Sequence, residues 1–344
     1  MPNPTLTDAI DALASRRDLS REQASAVLRE IMQGDASEIE IAGFLIALRA
    51  KGETEEELAG LATTMRELAT PVRCDRNDLL DTSGTGGGRT TFNVSTTAAL
   101  IAAGAGCAVA KHGNRSATSL SGSADVLEAL GARIDVPPAG VARCIDEVGF
   151  GFLFAPAHHA ATRFVVPVRR ELGVRTIFNF LGPLTNPAGA RRQLVGVADE
   201  RFLEVMAGAL ARLGVDRAVL VSSEDGLDEM STSGATHVVE VNGEQIERYT
   251  VTPGDVGLPD ADPAAVAGGT PADNAATTRA ILAGEAGPAR DLAVLNAGAA
   301  IYAACAVESL AEGVAAAQAA IDDGAAATAL ARYIALSGEL TAAA

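Results

Sequence analysis

The chain has 344 residues, 48% of them hydrophobic and 21% charged, and a formal net charge of −17. This length allows two domains, and the composition is that of a folded rather than a disordered protein. The acidic balance argues against nucleic acid as a partner, because a phosphate backbone requires a basic surface. No apolar run reaches the roughly 20 residues of a membrane helix. The N-terminal MPNPTLTDAI has no signal-peptide pattern, so we expect a cytoplasmic protein with no membrane partner.

Residues from about 4 to 70 show helical periodicity. Ser20 to Gln23 and Ser37 to Glu40 match the capping-box pattern, each before an apolar run, and a further helix is predicted from Thr54. The apolar stripes of these helices need a surface to cover them. That surface is either the rest of the chain or a second copy, and the sequence leaves both open.

A glycine loop follows the first predicted strand, Leu79–Thr82. The loop reads Gly84-Thr85-Gly86-Gly87-Gly88, and the next helix is predicted to begin at Asn93 or Ser95. Glycines allow backbone N–H groups to crowd around an anion, and a helix N-terminus favours one. An ordinary tight turn is the simpler interpretation. The loop does not match a dinucleotide-binding fingerprint, since Arg89 stands where that pattern needs glycine.

A basic turn follows the second predicted strand, Cys107–Ala110. It contains Lys111, one of only two lysines in the chain, and His112 beside it. The carboxyl end of a parallel strand is where open α/β sheets bind ligands. A solvated turn is the alternative, but the scarcity of lysine favours a function for Lys111.

A serine-rich turn, Ser119–Ser123, comes next and precedes a predicted helix that ends near Gly131. Helix capping is the default role of these serines. Their hydroxyl groups also suit a phosphate. Together with the glycine loop and the basic turn, they predict a ligand with several phosphate groups.

The middle of the chain alternates strands and helices, which predicts a parallel sheet. Within it, the segment 181–187 contains two prolines and is predicted to be a turn. Asp228 and Glu229 follow the predicted strand Arg217–Ser222, and an acidic pair with phosphate oxygens suits Mg²⁺. A random acidic loop is the alternative. The expected fold class is α/β, with a small N-terminal all-helical domain and a larger domain whose mainly parallel central sheet is flanked by helices.

Four arginines lie at roughly helical spacing between residues 163 and 175. Guanidinium groups pair with carboxylates, so the cluster favours a carboxylate ligand. We assign that role to Arg169, and we assign Arg163, Arg170 and Arg175 to structure.

Taken together, several segments resemble the anthranilate phosphoribosyltransferase family, within the nucleoside phosphorylase/phosphoribosyltransferase fold. The segments are SGTGG, FNVST, AKHGNRS, SGSADVLEALG, VRRELGVRTIFNFLGPLTNPA (Val168–Ala188), GLDE and NAGAA, and they cover nearly the whole chain in order. KHGNR with GPLTNP downstream is the most specific part. The resemblance implies that anthranilate's amine displaces pyrophosphate from C1 of phosphoribosyl pyrophosphate (PRPP), a step of tryptophan biosynthesis, with Mg²⁺ as cofactor.

The resemblance also implies roles for individual residues. The catalytic candidates are Lys111 and His112. The implied PRPP contacts are Gly84, Thr85, Gly86, Gly87, Asn93, Ser95, Thr96, Lys111, Ser119 and Ser123. The implied anthranilate contacts are Gly84, His112, Gly113, Asn114, His158 and Arg169. The implied metal ligands are Ser95, Asp228 and Glu229.

The same resemblance suggests the domain organisation. We expect a helical domain over residues 1–70, completed by a segment near 163–180, and a PRPP-binding α/β domain over 71–344, with a homodimer formed through the N-terminal helices. Gly88 departs from the family, whose loop most often reads GTGGD, so a side-chain contact at that position is lost. A pyrimidine nucleoside phosphorylase of the same fold is the alternative enzyme, and a nucleic-acid-binding relative without catalysis is the alternative class.

Overall fold

The N-terminal part of the protein is a bundle of helices. The computed structural model describes residues 1–116 and 119–342. The bundle consists of α1 (Pro4–Ala14), α2 (Arg21–Gln33), α3 (Glu38–Lys51) and α4 (Glu55–Leu68). Ser20, Ser37 and Thr54 each form a capping box, in which the side chains of the capping residue and of the third helical residue satisfy backbone N–H groups. The sequence pattern therefore predicted where these helices begin.

A seven-stranded sheet forms the centre of the second part, in the order β3-β2-β1-β4-β5-β6-β7. The strands from β1 to β5 are parallel, and β6 and β7 add an antiparallel hairpin at one edge. The strands are β1 (Leu80–Gly84), β2 (Val109–Gly113), β3 (Phe150–Phe154), β4 (Arg192–Gly196), β5 (Arg217–Ser223), β6 (Thr236–Asn242) and β7 (Gln245–Val251).

Helices cover both faces of this sheet, as the parallel arrangement requires. They are α5 (Val94–Gly104), α6 (Ser123–Ala129), α7 (Pro138–Val148), α8 (Ala155–His158), α9 (Val166–Leu172), α10 (Phe178–Leu184), α11 (Leu203–Arg212), α12 (Pro271–Leu282), α13 (Pro288–Ala303), α14 (Leu310–Asp322) and α15 (Ala325–Ala342). Helices α5, α12, α13, α14 and α15 share one hydrophobic core with one face of the sheet. The expected fold class is confirmed.

The other face of the sheet joins the helical bundle. One hydrophobic cluster contains the buried side chains of α1 to α4, those of α11, and residues of the segment from Val165 to Leu184. Phe44 of α3 and Leu61 of α4 are completely buried in it. The bundle is therefore packed onto the sheet through α11 and through this segment, which lies between β3 and β4 in the chain.

The strand order changes direction between β1 and β4. From β1 the chain first builds β2 and β3 on one side and then returns to build β4 and β5 on the other. In open α/β sheets the crevice at such a point, outside the carboxyl ends of the strands, is where ligands bind. The glycine loop follows β1 directly, and Thr85 N donates to Gly196 O of the adjacent strand end at 2.8 Å.

Strand β2 and the segment 181–187 differ most from the sequence prediction. Strand β2 includes Lys111 and His112, whereas we expected the strand to end at Ala110. The lysine can lie in a buried strand because its ammonium group has oxygen partners inside the protein. The segment 181–187 was expected to be a turn because of its two prolines, but its first part is α10, with Pro183 inside the helix. Within the described residues, no helix is long and apolar enough to span a membrane.

Candidate active site

The glycine loop lies directly against the acidic turn that follows β5. The Asp228 carboxylate faces the glycine loop. The backbone of Gly86 favours its charged form, and a Cβ built on Gly84 would lie 3.2 Å from Asp228 Oδ2. Gly86 and Gly87 have φ values of 63° and 88°, a conformation that favours glycine. The loop and the acidic turn thus pack against each other at the carboxyl ends of the central strands.

Gly88 packs on this turn even more tightly. A Cβ at this position would lie 2.8 Å from Asp228 N, from Asp228 Oδ1 and from Gly226 O. Any side chain here would therefore push the loop away from the acidic turn. The departure from the family pattern thus permits a close backbone approach.

Asp228 and Glu229 lie at the carboxyl end of β5, as the sequence predicted. Burial, together with the neighbouring Asp228 charge, raises the pKa of Glu229 to about 8. Burial also raises the pKa of Asp228. The backbone of Ser95, in the first turn of α5, favours the charged form of Glu229 and so opposes this rise in its pKa. Carboxylate and hydroxyl oxygens beside a helix N-terminus form a set of hard oxygen donors of the kind that Mg²⁺ prefers.

Lys111 is 1% exposed, and its ammonium group lies on the protein side of the glycine loop and the acidic turn. Its Nζ donates to Thr82 O at 2.5 Å and to Thr82 Oγ1 at 3.2 Å, and lies 3.4 Å from Ser95 Oγ. Burial lowers the pKa of Lys111 to about 8, against the opposing charges of Asp81 and Glu229. The ammonium group thus lies between β1, α5 and the acidic pair.

His112 has one nitrogen fixed and one free. Its Nδ1 lies 3.1 Å from Gly182 O, so Nδ1 carries the proton and donates to that carbonyl. Its Nε2 is buried and has no hydrogen-bond partner among the described residues. Burial lowers the pKa of His112 to about 3, so the imidazole is neutral and Nε2 is an acceptor. The His112 backbone N–H donates to Asp81 Oδ1 at 3.0 Å, which fixes the residue in the strand.

The two histidines after β3 have different surroundings. His158 Nδ1 lies 2.9 Å from Thr70 O, and Thr70 N donates to His158 O at 2.8 Å. This reciprocal pair holds the segment between α4 and β1. The ring of His159 lies 5.1 Å from the ring of His112, centroid to centroid, and its Nε2 is also buried without a partner among the described residues. The site therefore contains His159, which the sequence analysis did not select.

Arg169 has the character expected of a carboxylate-binding residue. Its guanidinium group is placed 5.5 Å from the Phe178 ring centroid and 3.4 Å from Asn179 Oδ1. Burial lowers its pKa, and no acidic side chain of the described residues forms an ion pair with it. Asn114 is exposed at the end of β2, where its Oδ1 accepts from Arg115 N at 2.7 Å. Gly113 packs closely, because a Cβ on it would lie 2.7 Å from the Phe152 ring.

Asn93 joins the glycine loop to the serine turn. Its Oδ1 accepts from Ser121 Oγ and Asn274 Nδ2, both at 2.9 Å, and its Nδ2 donates to Ser121 O at 3.1 Å. The Asn93 side chain is thus fully engaged within the protein. Ser119 Oγ lies 3.3 Å from Ser121 O, and Ser123 is the first residue of α6. The serine turn is therefore fixed close to the start of α5.

The hydroxyl groups of the two threonines predicted to bind PRPP have different surroundings. Thr85 Oγ1 accepts from Ala198 N at 3.0 Å and so helps to fix the loop on β4. Thr96 Oγ1, on α5, is buried and has no hydrogen-bond partner among the described residues.

Three site residues were not selected from the sequence. Asp81 is the acidic residue of the first strand, His159 belongs to a histidine pair, and Arg175 belongs to the VRRELGVRT segment. These features are visible in the sequence, but only the contacts of each residue with another segment show that it belongs to the site. Arg175, which we had assigned to structure, donates from Nη2 to Gly86 O of the glycine loop at 2.9 Å.

Comparisons with known proteins agree with this geometry. Residues 7–69 match the family model described as the glycosyl transferase family, helical bundle domain, and residues 76–327 match its a/b domain. The anthranilate phosphoribosyltransferase of Moorella thermoacetica is 51% identical over 327 residues, which are 95% of this chain and 96% of that protein.

Solved structures give the same result. The crystal structure of anthranilate phosphoribosyltransferase from Thermus thermophilus has a TM-score of 0.91 and 48% identity, covering 96% of this chain and 99% of that one. The enzyme from Saccharomyces cerevisiae in complex with PRPP and Mg has a TM-score of 0.89 and 28% identity, covering 97% and 98% of the two chains. The chain therefore belongs to the anthranilate phosphoribosyltransferase family.

Proposed function

We propose that the protein transfers the phosphoribosyl group of PRPP to the amine of anthranilate in a Mg²⁺-dependent reaction at the sheet edge described above. The observation that carries this proposal is the convergence of four features at the switch point between β1 and β4. They are the glycine loop, the acidic pair Asp228 and Glu229, the buried Lys111, and the neutral His112. Family membership gives the reaction, and this geometry suggests which groups perform it.

The pyrophosphate end of PRPP fits the glycine loop and the start of α5. Backbone N–H groups of the loop and the helix N-terminus attract phosphate oxygens. We assign PRPP contacts to Gly84, Gly86, Gly87, Ser95 and Lys111, and the unpartnered Thr96 hydroxyl favours a contact there as well. We also assign PRPP contacts to Thr85, Asn93, Ser119 and Ser123. The side chains of the first three also hold the glycine loop, the start of α5 and the serine turn in place.

The acidic pair fits a divalent cation. Each carboxylate raises the energy of the other, and burial disfavours both charges, so a bound cation relieves the repulsion. Asp228 and Glu229 would hold Mg²⁺, with Ser95 beside them. Within the described residues, no group of three His, Cys, Asp or Glu side chains could hold a metal. Two carboxylates with substrate phosphates are a usual arrangement for Mg²⁺. When bound, the ion stabilises negative charge on the departing pyrophosphate.

We assign the binding of anthranilate to Arg169 and His112, which both contact α10. The guanidinium of Arg169, desolvated and without an acidic partner among the described residues, would bind the carboxylate of anthranilate. His112 Nε2 would accept a hydrogen bond from the amine and so orient the nitrogen lone pair. Asn114 and Gly113 lie at the same strand end, and His159 lines the space beside His112.

The chemistry then requires positioning more than acid–base catalysis. A bond forms between the amine nitrogen and C1 of the ribose, the C1–O bond to pyrophosphate breaks and leaves its electron pair on the pyrophosphate, and the nitrogen passes one proton to the released pyrophosphate or to water. An aromatic amine is not protonated near neutral pH, so it can attack directly. With a pKa of about 3, His112 is a weak base and is better suited to orienting the amine than to removing its proton. Lys111, with its ammonium group between β1 and α5, stabilises the negative charge of PRPP.

The test is a reaction with purified protein. Anthranilate fluorescence and pyrophosphate release are followed with PRPP, in Mg²⁺ and in EDTA. We expect both signals to change together, and only with Mg²⁺. If folded protein leaves anthranilate unchanged but cleaves a pyrimidine nucleoside with inorganic phosphate, the proposal is wrong and the protein is a phosphorylase.

We also propose that the protein is a homodimer through α3. Ile39 is 84% exposed and Ile46 is 40% exposed, and they lie seven residues apart on the outer face of this helix with Ala42 between them. An exposed apolar stripe of this kind is typical of an interface. The division into residues 1–70 and 71–344 and a cytoplasmic location stay predictions from the sequence.

A further inference from the structure

Arg175 reaches the glycine loop from a separate part of the chain. It lies in the connection between α9 and α10, where Gly173, with φ 62°, ends α9. Its Nη2 donates to Gly86 O at 2.9 Å. Its Nη1 is so close to Gly87 that a Cβ built on that glycine would lie 2.6 Å away. The guanidinium therefore covers the two residues of the loop that have left-handed backbone conformations.

The helical bundle holds Arg175 in this place. Arg49, near the end of α3, donates from Nη1 to Arg175 O at 2.8 Å. The Phe180 ring centroid lies 5.9 Å from the Arg175 guanidinium carbon. A chain of contacts thus runs from α3 through the backbone of Arg175 and its side chain to Gly86. No ion pair joins Arg175 to an acidic side chain of the described residues. The polar contact of its guanidinium group with the glycine loop is therefore the hydrogen bond to Gly86 O.

We propose that Arg175 is a positioning residue that holds the glycine loop in its PRPP-binding conformation, and that Arg49 of the helical bundle positions Arg175. The backbone N–H groups of the loop can surround a phosphate only if the loop stays folded over the acidic turn. Arg175 fixes the carbonyl of Gly86 and so orients the adjacent peptide groups. The affinity for PRPP then depends on how the bundle is packed. This inference rests on the proposed binding of pyrophosphate by the loop.

The first test measures the loop without any substrate. Thr85 N donates to Gly196 O and Arg89 N donates to Gly226 O, so both amides report opening of the loop by hydrogen exchange. We expect faster exchange over residues 84–92 in R175A and, to a smaller extent, in R49A. The matched control is R201A. Arg201 lines the same cavity of about 400 Å³ as Arg49 and Arg175, but it pairs with Asp199 and its side chain is 85% exposed.

The second test separates binding from turnover. In R175A we expect KM for PRPP to rise roughly tenfold, the loss that corresponds to one hydrogen bond from a charged donor. The value of kcat should change much less, and KM for anthranilate should stay the same. R175K should restore only part of the affinity, because an ammonium group lacks the planar fork that contacts Gly86 and Gly87 together. R49A should raise KM for PRPP by a smaller factor and add nothing in the R175A background.

Two results would overturn the inference. One is normal hydrogen exchange of the loop in folded R175A, whatever its KM for PRPP. The other is an effect of R49A that adds fully to that of R175A, since independent effects would show that Arg49 does not act through Arg175. The exchange experiment needs no substrate, so it remains decisive even if the wild-type protein fails to use PRPP.

Discussion

The buried histidines at the site make the protein sensitive to acid. Burial lowers the pKa of His112 to about 3 and that of His159 to about 4, while both have an ordinary pKa of 6.5 in the unfolded chain. Between these values the unfolded state binds more protons than the folded state. The free energy of unfolding therefore falls as the pH falls below 6.5, by about 1.4 kcal/mol per pH unit for each histidine.

The variant H159Q removes one of these titrating groups. Urea unfolding at pH 7, 6 and 5 should show a smaller decrease in the free energy of unfolding for H159Q than for the wild type. The difference between the two proteins gives the contribution of His159 alone. Other buried groups, such as Glu229 with its raised pKa, titrate in both proteins. Identical decreases would show that His159 is already protonated or exposed in the folded protein.

Gly86 and Gly87 provide a comparison within the glycine loop. Both have positive φ values, so an alanine at either position costs roughly 1–2 kcal/mol of backbone strain. Only at Gly87 would the new methyl group displace a side chain, that of Arg175, because nothing described lies within 4 Å of a Cβ on Gly86. We expect G87A to raise KM for PRPP clearly more than G86A does. Equal effects would mean that the contact with Arg175 has no consequence for binding.

At the scale of elements, a single buried carboxylate connects α2, α3 and α4 near their ends. Glu57 is fully buried at the start of α4. It accepts from Leu19 N and Thr54 N, each at 2.9 Å, and from Lys51 Nζ at 2.9 Å. The segment before α2, the end of α3 and the start of α4 thus meet at one side chain.

Removal of this carboxylate should be costly. E57A should lower the free energy of unfolding by about 3–5 kcal/mol, because a buried ammonium and two backbone N–H groups lose a partner. E56A is the control: Glu56 also lies in the first turn of α4, but its ion pair with Arg212 is exposed and worth at most about 1 kcal/mol. Chemical unfolding measures both. Equal losses in the two variants would contradict the role given to Glu57.

The starts of α2, α3 and α4 could be predicted because capping is local. Ser37 and Glu40 lie three residues apart, and both hydrogen bonds of the box are made within that span. The extent of β2 could not be predicted in this way. Lys111 is part of the strand because Thr82 and Ser95, which are far away in sequence, supply its oxygen partners. The sequence shows the charge but not the partners that allow its burial.

Helix α10 illustrates the same limit. Two prolines suggested a turn, yet Pro183 lies inside the helix. The side chains of Gln193 and Arg66 donate to the carbonyls of Pro183 and Leu184 at 2.8 and 2.7 Å, and His112 donates to that of Gly182. These distant donors satisfy the end of the helix. The contact of Arg175 with the glycine loop could not be predicted for a similar reason, since the spacing of the arginines says nothing about that loop.

At the scale of the whole molecule, the proposed dimer has a direct test. The variants I39K and I46K place a charge in the exposed apolar stripe of α3. We expect light scattering to give a dimer mass for the wild type and a monomer mass for the double variant, with unchanged circular dichroism. I246K, at an exposed isoleucine of β7 outside the bundle, is the control and should stay dimeric. A monomeric wild type would contradict the proposal.

The molecule as a whole brings the loop after β1 and the turn after β5 together at the switch point of the sheet. The most direct test of this account measures pyrophosphate release from PRPP and anthranilate over a range of Mg²⁺ concentrations, in the wild type and in D228N. We predict Mg²⁺-dependent turnover in the wild type, and in D228N a turnover at least roughly 100-fold lower at the same Mg²⁺. Undiminished turnover of the wild type in EDTA, or equal turnover of D228N at every Mg²⁺ concentration, would contradict the account.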